Sequence, residues 1–268
     1  MNQNKEQHIG IFDSGLGGLT VLRELKKHLP NEKFIYFGDT ARVPYGNKSA
    51  ETINQYVLQI VHFLKQKKVK IIIVACNTAS SIISKEFRKK INIPIIDVIL
   101  PSAQAACRLS NVSTVGVVGT ETTISSQQYH KKINQINNKI TVLGQSCSLF
   151  VPLIEEGLIN HPITEQAVIL YFKKDFCKKI DVLILGCTHY PMIKKIIKKH
   201  LTRNITIIDS AVETAQYTKG YLYKESLSSR PKNDLQDVYY VTDKLARFHD
   251  IASMFLNEPI VVIKQVKL

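Results

Sequence analysis

The sequence predicts an α/β protein with two similar halves, each built on a mainly parallel sheet flanked by helices. Short runs rich in Ile and Val alternate along the chain with longer amphipathic segments, which is the pattern of strands and helices in turn. The runs are apolar throughout, as expected of strands that are buried on both faces of a parallel sheet. A faint internal repeat indicates that this arrangement occurs twice.

The individual elements follow from these patterns. The predicted strands are residues 8–12, 34–37, 70–75, 114–118, 140–143, 181–185 and 205–208. The predicted helices include residues 20–29, 50–67, 79–90, 164–174 and 192–200, with a short one at 152–157. The polar segment 224–236 contains a proline and is predicted to be an exposed loop. A final strand–helix–strand pattern runs from 238 to 264.

The internal repeat places two cysteines in matching positions. Cys76 lies 63 residues after Asp13, and Cys187 lies 67 residues after Thr120, where Asp13 and Thr120 each end a similar strand. Each cysteine comes just after the carboxyl end of a predicted strand, which is where ligands bind in open α/β sheets. Similar strand–helix spacing alone would say little, because any two such units look alike.

The composition is that of an ordinary globular protein. Hydrophobic residues make up 44% of the 268 residues and charged residues 22%, which argues against a disordered or fibrous chain. The net charge of +14 fits a nucleic-acid binder, a membrane-surface protein or a soluble enzyme with a lysine-rich surface. Only seven of the 36 basic residues are Arg, the side chain preferred for phosphate and base contacts. No nucleic-acid recognition motif is present.

The position of the lysines favours a solvated basic surface. Pairs such as Lys26-Lys27, Lys173-Lys174 and Lys198-Lys199 lie near the ends of predicted helices, where cations complement the helix dipole. We therefore expect neither a nucleic-acid partner nor a membrane partner, and the charge is expected to serve solubility.

The cysteines and the apolar runs indicate a cytoplasmic protein. The first seven residues are polar and no apolar run approaches 18 residues, so neither a signal peptide nor a membrane span is predicted. The five cysteines are an odd number without CxxC spacing. Free thiols in a reducing compartment are expected, with no disulfide framework and no metal site.

Cys76 and Cys187 are the candidate functional thiols. Cys76 precedes Asn77-Thr78-Ala79, which is typical of a helix start, and Cys187 precedes a segment with Pro191, a residue suited to a first helical turn. A thiol at a helix N-terminus is expected to have a lowered pKa. Either cysteine alone could simply be a small buried hydrophobe, but two in matching polar settings favour function. Cys107, Cys147 and Cys177 lack such a setting and are interpreted as structural.

Other polar segments also lie after predicted strands. The glycine-rich turn Asp13-Ser14-Gly15-Leu16-Gly17-Gly18 does not match the dinucleotide fingerprint, because Thr20 stands where the third glycine is needed. Its amides could still bind an anion such as a carboxylate, and Asp13 suits a site beside an ammonium or a thiol. His189 could tune the nearby Cys187. Each of the remaining features also has a plainer interpretation. The loop after the second strand, with Gly38-Asp39-Thr40 and Pro44-Tyr45-Gly46, could simply form turns. Glu155 could lie on a solvated helix face, and His189 could be structural.

Four of these motifs, in this order and spacing, resemble a known family. They are Ile11-Phe12-Asp13-Ser14-Gly15-Leu16-Gly17-Gly18-Leu19-Thr20-Val21, Asp39-Thr40-Ala41-Arg42-Val43-Pro44-Tyr45-Gly46, Ala75-Cys76-Asn77-Thr78-Ala79-Ser80 and Gly186-Cys187-Thr188-His189-Tyr190-Pro191. Together they resemble the glutamate racemases of the cofactor-independent aspartate/glutamate racemase family, over about residues 9–211.

This resemblance implies a fold and an activity. It implies two α/β domains facing each other across a cleft, one of residues 1–99 plus 210–268 and one of residues 100–209. It implies interconversion of L- and D-glutamate without a cofactor, to supply D-glutamate for peptidoglycan in the cytoplasm, and a homodimer.

The resemblance also implies roles for individual residues. Cys76 and Cys187 would be the acid and base, with Cys76 deprotonating D-glutamate and Cys187 L-glutamate, assisted by Asp13, Glu155 and His189. Asp39 would have a lesser part. The implied substrate-binding residues are Asp13, Ser14, Tyr45, Gly46, Asn77, Thr78, Thr120, Thr188 and His189. Two departures from the family pattern are Ser102 in place of Gly and Ser148 in place of Pro.

Three alternative functions remain open from the residues alone. The first is a racemase for aspartate or another acidic substrate, which pocket size decides. The second is a thiol hydrolase or transferase, although this leaves the second cysteine unexplained and no Cys-His-Asn spacing is evident. The third is a basic nucleic-acid-binding or regulatory protein.

Overall fold

Two parallel sheets form the centre of the protein. The structure, a computed structural model, describes residues 3–201, 204–231, 234–243, 248–258 and 263–268. Its strands, in chain order, are β1 (Ile9–Asp13), β2 (Phe34–Gly38), β3 (Ile71–Val74), β4 (Ile95–Asp97), β5 (Thr114–Gly119), β6 (Thr141–Ser146), β7 (Val182–Gly186), β8 (Thr206–Asp209), β9 (Val238–Val241) and β10 (Ile263–Gln265).

The strand order shows the internal repeat directly. The first sheet has the order β10-β9-β2-β1-β3-β4 and the second the order β6-β5-β7-β8, with parallel pairing throughout. The segment β2-β1-β3-β4 and the whole second sheet therefore share one topology, in which β1 corresponds to β5 and β3 to β7. The predicted α/β class with two similar parallel sheets is confirmed. The predicted domain boundaries stay a prediction.

Helices flank both sheets. They are α1 (Leu19–His28), α2 (Ala50–Gln66), α3 (Asn77–Ile82), α4 (Lys85–Lys89), α5 (Ile99–Arg108), α6 (Glu121–Ser125), α7 (Gln128–Ile136), α8 (Phe150–Glu155), α9 (Pro162–Tyr171), α10 (Lys174–Lys179), α11 (Lys194–His200), α12 (Ser210–Lys224) and α13 (Phe248–Leu256). Single 3₁₀ turns lie at Tyr45–Asn47 and Tyr190–Ile193.

The first sheet is buried on both faces, as its apolar strands predict. Along β1, Ile9 and Ile11 face the core shared with α1 and α12, whereas Phe12 faces the core under α2. This alternation follows from the two-residue period of a strand. Such double burial fixes the register of β1, so the side chains that follow its carboxyl end are held in place.

Several predicted helices differ from the observed ones. The segment 79–90 forms two short helices, because Ile83 is extended and the Ser84 hydroxyl accepts a hydrogen bond from the Phe87 amide to begin α4. The segment 164–174 ends at Tyr171. Lys173 and Lys174 therefore lie at the start of α10, where a cation opposes the helix dipole. Lys26-Lys27 and Lys198-Lys199 do lie in last helical turns, as expected.

Several elements have no counterpart among the predicted ones, namely β4, α5, α6, α7, α10 and α12. Strand β4 spans three residues after Pro94, too few for a pattern. Helix α12 buries threonines where apolar residues would mark a helix: the hydroxyls of Thr214 and Thr218 donate to the carbonyls of Ser210 and Thr214 at 2.6 and 2.7 Å. Internal hydrogen bonding thus lets polar side chains occupy a buried helix face.

The predicted loop and the C-terminal pattern are largely confirmed. The described parts of 225–236 are not helical or extended in a sheet, but Ser229 is buried, where its amide and hydroxyl bond the Glu32 carboxylate of the Glu32–Lys70 ion pair. Strand β9, helix α13 and strand β10 form the predicted strand–helix–strand unit, of which residues 244–247 and 259–262 lie outside the described residues. Among the described residues no helix is long and apolar enough to cross a membrane.

Candidate active site

One cavity of about 470 Å³ gathers the predicted site residues. Its walls are segments that follow the carboxyl ends of strands in both sheets, the usual ligand position in α/β folds. The predicted residues that line it are Ser14, Tyr45, Gly46, Cys76, Asn77, Thr78, Thr120, Glu155, Cys187, Thr188 and His189. Sequence reasoning gave no role there to Val43, Pro44, Asn47, Glu121, Val151, Pro152 and Glu156.

Cys76 occupies the N-cap position of α3, directly after β3, as the sequence predicts. Its side chain is 5% exposed, and its sulfur accepts a hydrogen bond from the Ala79 amide at 3.4 Å. The thiol in turn donates to the Ser14 hydroxyl at 3.6 Å. The sulfur therefore has a fixed direction at the cavity wall.

The expected lowering of the Cys76 pKa is wrong. Burial, and then the negative charge of Asp13, raise this pKa to about 12 and outweigh the opposing hydrogen bonds from Ala79 and Ser14. At neutral pH Cys76 therefore rests as the thiol.

Asp13 lies behind the cavity wall. It is fully buried, does not line the cavity, and accepts a hydrogen bond from the Gly15 amide at 3.0 Å. Burial raises the pKa of its carboxyl, against the positive charge of His189, which lowers it. The anion bound by the glycine-rich turn is thus the protein's own carboxylate. Its placement favours a role through the Cys76 thiol over the predicted contact with substrate.

Cys187 is accompanied by a histidine and a glutamate. Its sulfur, in a side chain 6% exposed, lies 3.8 Å from His189 Nδ1, and His189 Nε2 lies 2.9 Å from Glu155 Oε1. Pro191 lies in the first turn of the helical segment that follows, as predicted, although this turn is a 3₁₀ helix that leads into α11. The three side chains form one hydrogen-bonded row ending at the cavity.

His189 carries a positive charge at neutral pH. Burial lowers its pKa, but the hydrogen bonds to Cys187 and Glu155 more than compensate and raise the pKa to about 10. An imidazolium beside a cysteine stabilises a negative charge on the sulfur. The two thiols therefore have opposite electrostatic neighbours, a carboxylate behind Cys76 and an imidazolium beside Cys187.

The glycines of the first turn allow α1 to approach the second sheet. A Cβ atom at Gly17 would overlap Thr188 Oγ1 and lie within 2.5 Å of the His189 ring. The close contact brings the Thr188-His189 segment against the start of α1, so Gly17 serves packing between the two halves rather than nucleotide binding.

Asp39 supports the cavity from outside. Its buried carboxylate accepts hydrogen bonds from the Tyr45 hydroxyl at 2.5 Å, from Arg42 Nε at 2.7 Å and from the Thr242 hydroxyl at 2.9 Å. The Arg42 guanidinium also stacks 4.1 Å above the Tyr56 ring. Asp39 does not line the cavity but fixes Tyr45, which does.

The two departures from the family pattern have local explanations. Ser102 lies fully buried in α5, where its hydroxyl donates to the Val98 carbonyl at 2.7 Å, so the added polar group is satisfied. Ser148 lines the cavity, with its hydroxyl 3.3 Å from that of Ser146. The remaining cysteines, Cys107, Cys147 and Cys177, form no disulfide and do not line the cavity.

Comparison with known proteins identifies the family to which the chain belongs. The Asp/Glu/Hydantoin racemase family matches residues 10–218. A glutamate racemase from Syntrophus aciditrophicus is 41% identical over 100% of both chains. A crystal structure of glutamate racemase from Francisella tularensis in complex with D-glutamate is 39% identical, covers 98% of both chains and has a TM-score of 0.91. That of glutamate racemase RacE1 from Bacillus anthracis is 36% identical, also covers 98% of both chains and has a TM-score of 0.92.

The chain belongs to the Asp/Glu/Hydantoin racemase family and is accordingly an isomerase. Within that family its full-length similarity places it among the glutamate racemases.

Proposed function

We propose that the protein interconverts L- and D-glutamate by removing the α-proton on one face and returning a proton on the other. The observation that carries this proposal is that two thiols, Cys76 and Cys187, line one cavity from equivalent positions after β3 and β7. Each comes from a different sheet, so a substrate between them would meet one sulfur on each side.

The chemistry needs one thiolate and one thiol at a time. The base takes the α-proton as an S–H bond forms and the Cα–H bond breaks, leaving the electron pair on Cα and the α-carboxylate. The opposite thiol then gives its proton to Cα and becomes the thiolate. The enzyme ends with the proton on the other sulfur, and the pair titrates as one coupled system.

The neighbours of the thiols suit these two states. Burial and the carboxylate of Asp13 keep Cys76 protonated and ready to act as the acid. Cys187, whose sulfur lies 3.8 Å from Nδ1 of the His189 imidazolium, is the thiol that we assign as the base. With this starting state Cys187 would deprotonate L-glutamate and Cys76 would complete D-glutamate. For the reverse direction the proton must first leave Cys76, and Asp13, whose charge acts on this thiol, is the group that we assign to assist.

The polar lining can stabilise the negative charge that develops on the substrate. Asn77 Nδ2, the Thr78 and Thr188 side chains and the Ser14 hydroxyl belong to residues at the cavity wall. Hydrogen-bond donors held in place before reaction are effective at this task because they need not reorganise.

A direct test follows the α-proton. The protein is incubated with L- or D-glutamate in deuterated water without added cofactor, and circular dichroism and the loss of the α-proton signal are recorded. We expect racemisation with solvent deuterium in the product, lost in Cys76→Ala and in Cys187→Ala. Full activity in either variant would refute the two-thiol mechanism.

The same assay separates the alternatives. Faster turnover of L-aspartate than of L-glutamate would instead indicate an aspartate racemase. A covalent acyl adduct on one cysteine, detected by mass spectrometry without racemisation, would indicate a thiol hydrolase or transferase. Salt-sensitive binding of DNA by protein that lacks racemase activity would favour the nucleic-acid class.

We further propose a cytoplasmic homodimer that supplies D-glutamate for peptidoglycan. Exposed apolar side chains around α9, namely Leu149, Ile163 and Leu170, support an interface between copies. Sedimentation at micromolar concentration tests the dimer, with a monomer as the contrary result. Depletion in the source cell should create a requirement for D-glutamate, and growth without it would contradict the biosynthetic role.

A further inference from the structure

The residue that follows each thiol is held by a hydroxyl from the opposite half of the molecule. The Tyr129 hydroxyl, on α7 beside the second sheet, donates to Asn77 Oδ1 at 2.6 Å. The Thr20 hydroxyl, on α1 beside the first sheet, donates to the Thr188 carbonyl at 2.8 Å. Both Tyr129 and Thr20 are buried, 3% and 0% exposed.

The two contacts are related by the internal repeat. Asn77 follows Cys76 after β3, and Thr188 follows Cys187 after β7, the corresponding strand. Helix α1, which carries Thr20, lies between β1 and β2, and helix α7, which carries Tyr129, lies between the corresponding strands β5 and β6, after the short helix α6. The same arrangement therefore occurs once for each thiol, with the two halves exchanging donors across the cavity.

The Tyr129 contact fixes how Asn77 presents its amide. Because Oδ1 accepts from the phenol, Nδ2 is left as the donor, and it has no hydrogen-bond partner among the described residues although Asn77 lines the cavity. Loss of the hydroxyl would free the carboxamide to turn.

The Thr20 contact fixes the backbone after Cys187. Its hydroxyl lies 2.8 Å from the Thr188 carbonyl and 2.9 Å from the Gly17 carbonyl, so one proton is shared between the two oxygens. Thr188 and His189 also press on Gly17, where no Cβ could fit. The position of the Thr188-His189 backbone therefore sets the distance between the His189 ring and the Cys187 sulfur.

We infer that Tyr129 and Thr20 are a matched pair of positioning residues, each aligning the thiol of the opposite half for proton transfer. This inference rests on the proposed racemisation and adds two residues to it. Tyr129 acts on the Cys76 side through Asn77, and Thr20 acts on the Cys187 side through Thr188.

The test exploits the fact that each thiol serves a different enantiomer. If proton transfer at one thiol becomes slower, abstraction of the α-proton becomes more rate-limiting for the enantiomer that this thiol deprotonates. For the other enantiomer the same thiol only returns a proton, so abstraction becomes less rate-limiting. The substrate deuterium isotope effect on kcat should therefore rise in one direction and fall in the other. The ratio of the two kcat/KM values must stay at one, since the enantiomers have equal free energy.

The experiment compares Tyr129→Phe and Thr20→Val, using α-deuterated L- and D-glutamate. We expect kcat/KM to fall about three- to tenfold in each variant, the loss of one hydrogen bond. The isotope effect should rise with D-glutamate and fall with L-glutamate in Tyr129→Phe, and do the reverse in Thr20→Val. Thr20→Ser, which keeps the hydroxyl, should restore the wild-type values.

Matched controls remove buried or half-buried hydroxyls elsewhere. Tyr171→Phe and Thr218→Val lose hydroxyls that bond Leu149 and Thr214 away from the two thiols, and both should stay within about twofold of the wild-type kcat/KM. Isotope effects that move in the same direction in Tyr129→Phe and Thr20→Val, or that do not move, would overturn the inference. If wild-type protein fails to racemise glutamate, the proposed function itself fails, which is a separate result.

A second measurement covers the case of poor folding. In an Asn77→Ala background, Tyr129→Phe should have no further effect on kcat/KM, because the acceptor of the phenol is already gone. Additive losses in this double-mutant cycle would show that Tyr129 acts by general packing and would also refute the pairing.

Discussion

The Nδ1 atom of His189 lies 3.8 Å from the sulfur of Cys187, while the other ring nitrogen bonds Glu155 at 2.9 Å. The glutamate thus holds a charged imidazole against the thiol. Among the described residues no histidine is found beside Cys76, and the charged group that acts on this thiol is the carboxylate of Asp13. The two halves share their strand order but not their electrostatics, and this difference has measurable consequences.

Removal of the imidazole should change both rate and pH dependence. We expect His189→Gln to lower kcat on the order of 10²-fold, the low end for acid–base groups. Wild-type activity that depends on the protonated ring should decline as pH rises through the raised pKa of about 10. Rates followed by circular dichroism from pH 7 to 11 should show that decline in wild type and not in the variant.

Glu155→Gln serves as the graded comparison for His189→Gln. The Glu155 side chain is 38% exposed, so solvent partly replaces its effect and a smaller loss is expected. A larger loss in Glu155→Gln than in His189→Gln would contradict the proposed order of action, from glutamate through histidine to thiol.

Neutralising Asp13 should stabilise the fold while reducing catalysis. Its pKa is raised by burial, so the native state holds this proton to a higher pH than the unfolded chain does. The contribution of the Asp13 carboxyl to the free energy of unfolding is therefore fully present below its ordinary pKa of 3.8. This contribution is lost as the pH rises through the pKa of the native state. Asp13→Asn avoids that loss, and we expect the free energy of unfolding at pH 8 to increase by about 1 kcal/mol.

Urea unfolding at pH 8 and pH 5 measures this effect. The advantage of Asp13→Asn should be smaller at pH 5, because more of the wild-type carboxyl is protonated there than at pH 8. The Asn oxygen can still accept the Gly15 amide, so the turn should be retained. Equal stability of variant and wild type at both pH values would show that the buried charge has no cost.

Asp13 should also control how readily Cys76 is alkylated. Its charge raises the Cys76 pKa, which reaches about 12, so little thiolate is present at pH 8. In Asp13→Asn the iodoacetamide reaction at Cys76 should be severalfold faster at pH 8, even though racemisation is slower. Peptide mapping by mass spectrometry would show the rate at this residue, and a slower reaction in the variant would contradict the assignment.

Substitution of Gly17 should damage the site without a change in charge. Gly17→Ala places a methyl group into Thr188 and His189, and we expect a loss of about 1–3 kcal/mol of stability from overpacking, together with lower activity. Gly220→Ala is the matched control. No atom lies within 4 Å of its Cβ position in α12, so this change should stabilise the protein by about 0.5–1 kcal/mol.

Thermal or urea unfolding of both glycine variants, with racemase rates, provides the measurement. Wild-type activity in Gly17→Ala would mean that the segment after Cys187 can move away from α1 without consequence. That result would also weaken the positioning role of Thr20.

The sequence alone determined the fold class and the two sheets, and its motifs predicted most of the polar residues that line the cavity. Strands such as β1 and β7 are predictable because their apolar runs are buried on both faces and their ends carry Gly, Asp or Cys. The positions of Cys76 and Cys187 after such strands are local facts, and the carboxyl ends of parallel strands meet at one edge. Elements with a weak sequence pattern, such as β4 and α12, were not predicted. Strand β4 is too short for a pattern, and α12 buries threonines that bond within the helix where apolar residues would indicate burial.

Only the tertiary structure decided the charge states and the contacts between halves. A helix N-terminus predicts a lowered pKa for Cys76, but burial and Asp13, placed by long-range packing, reverse it. The bonds from Tyr129 to Asn77 and from Thr20 to Thr188 join residues 52 and 168 positions apart. Pattern along the chain reports local geometry, whereas electrostatic surroundings and cross-cavity hydrogen bonds depend on which distant side chains the two sheets bring together.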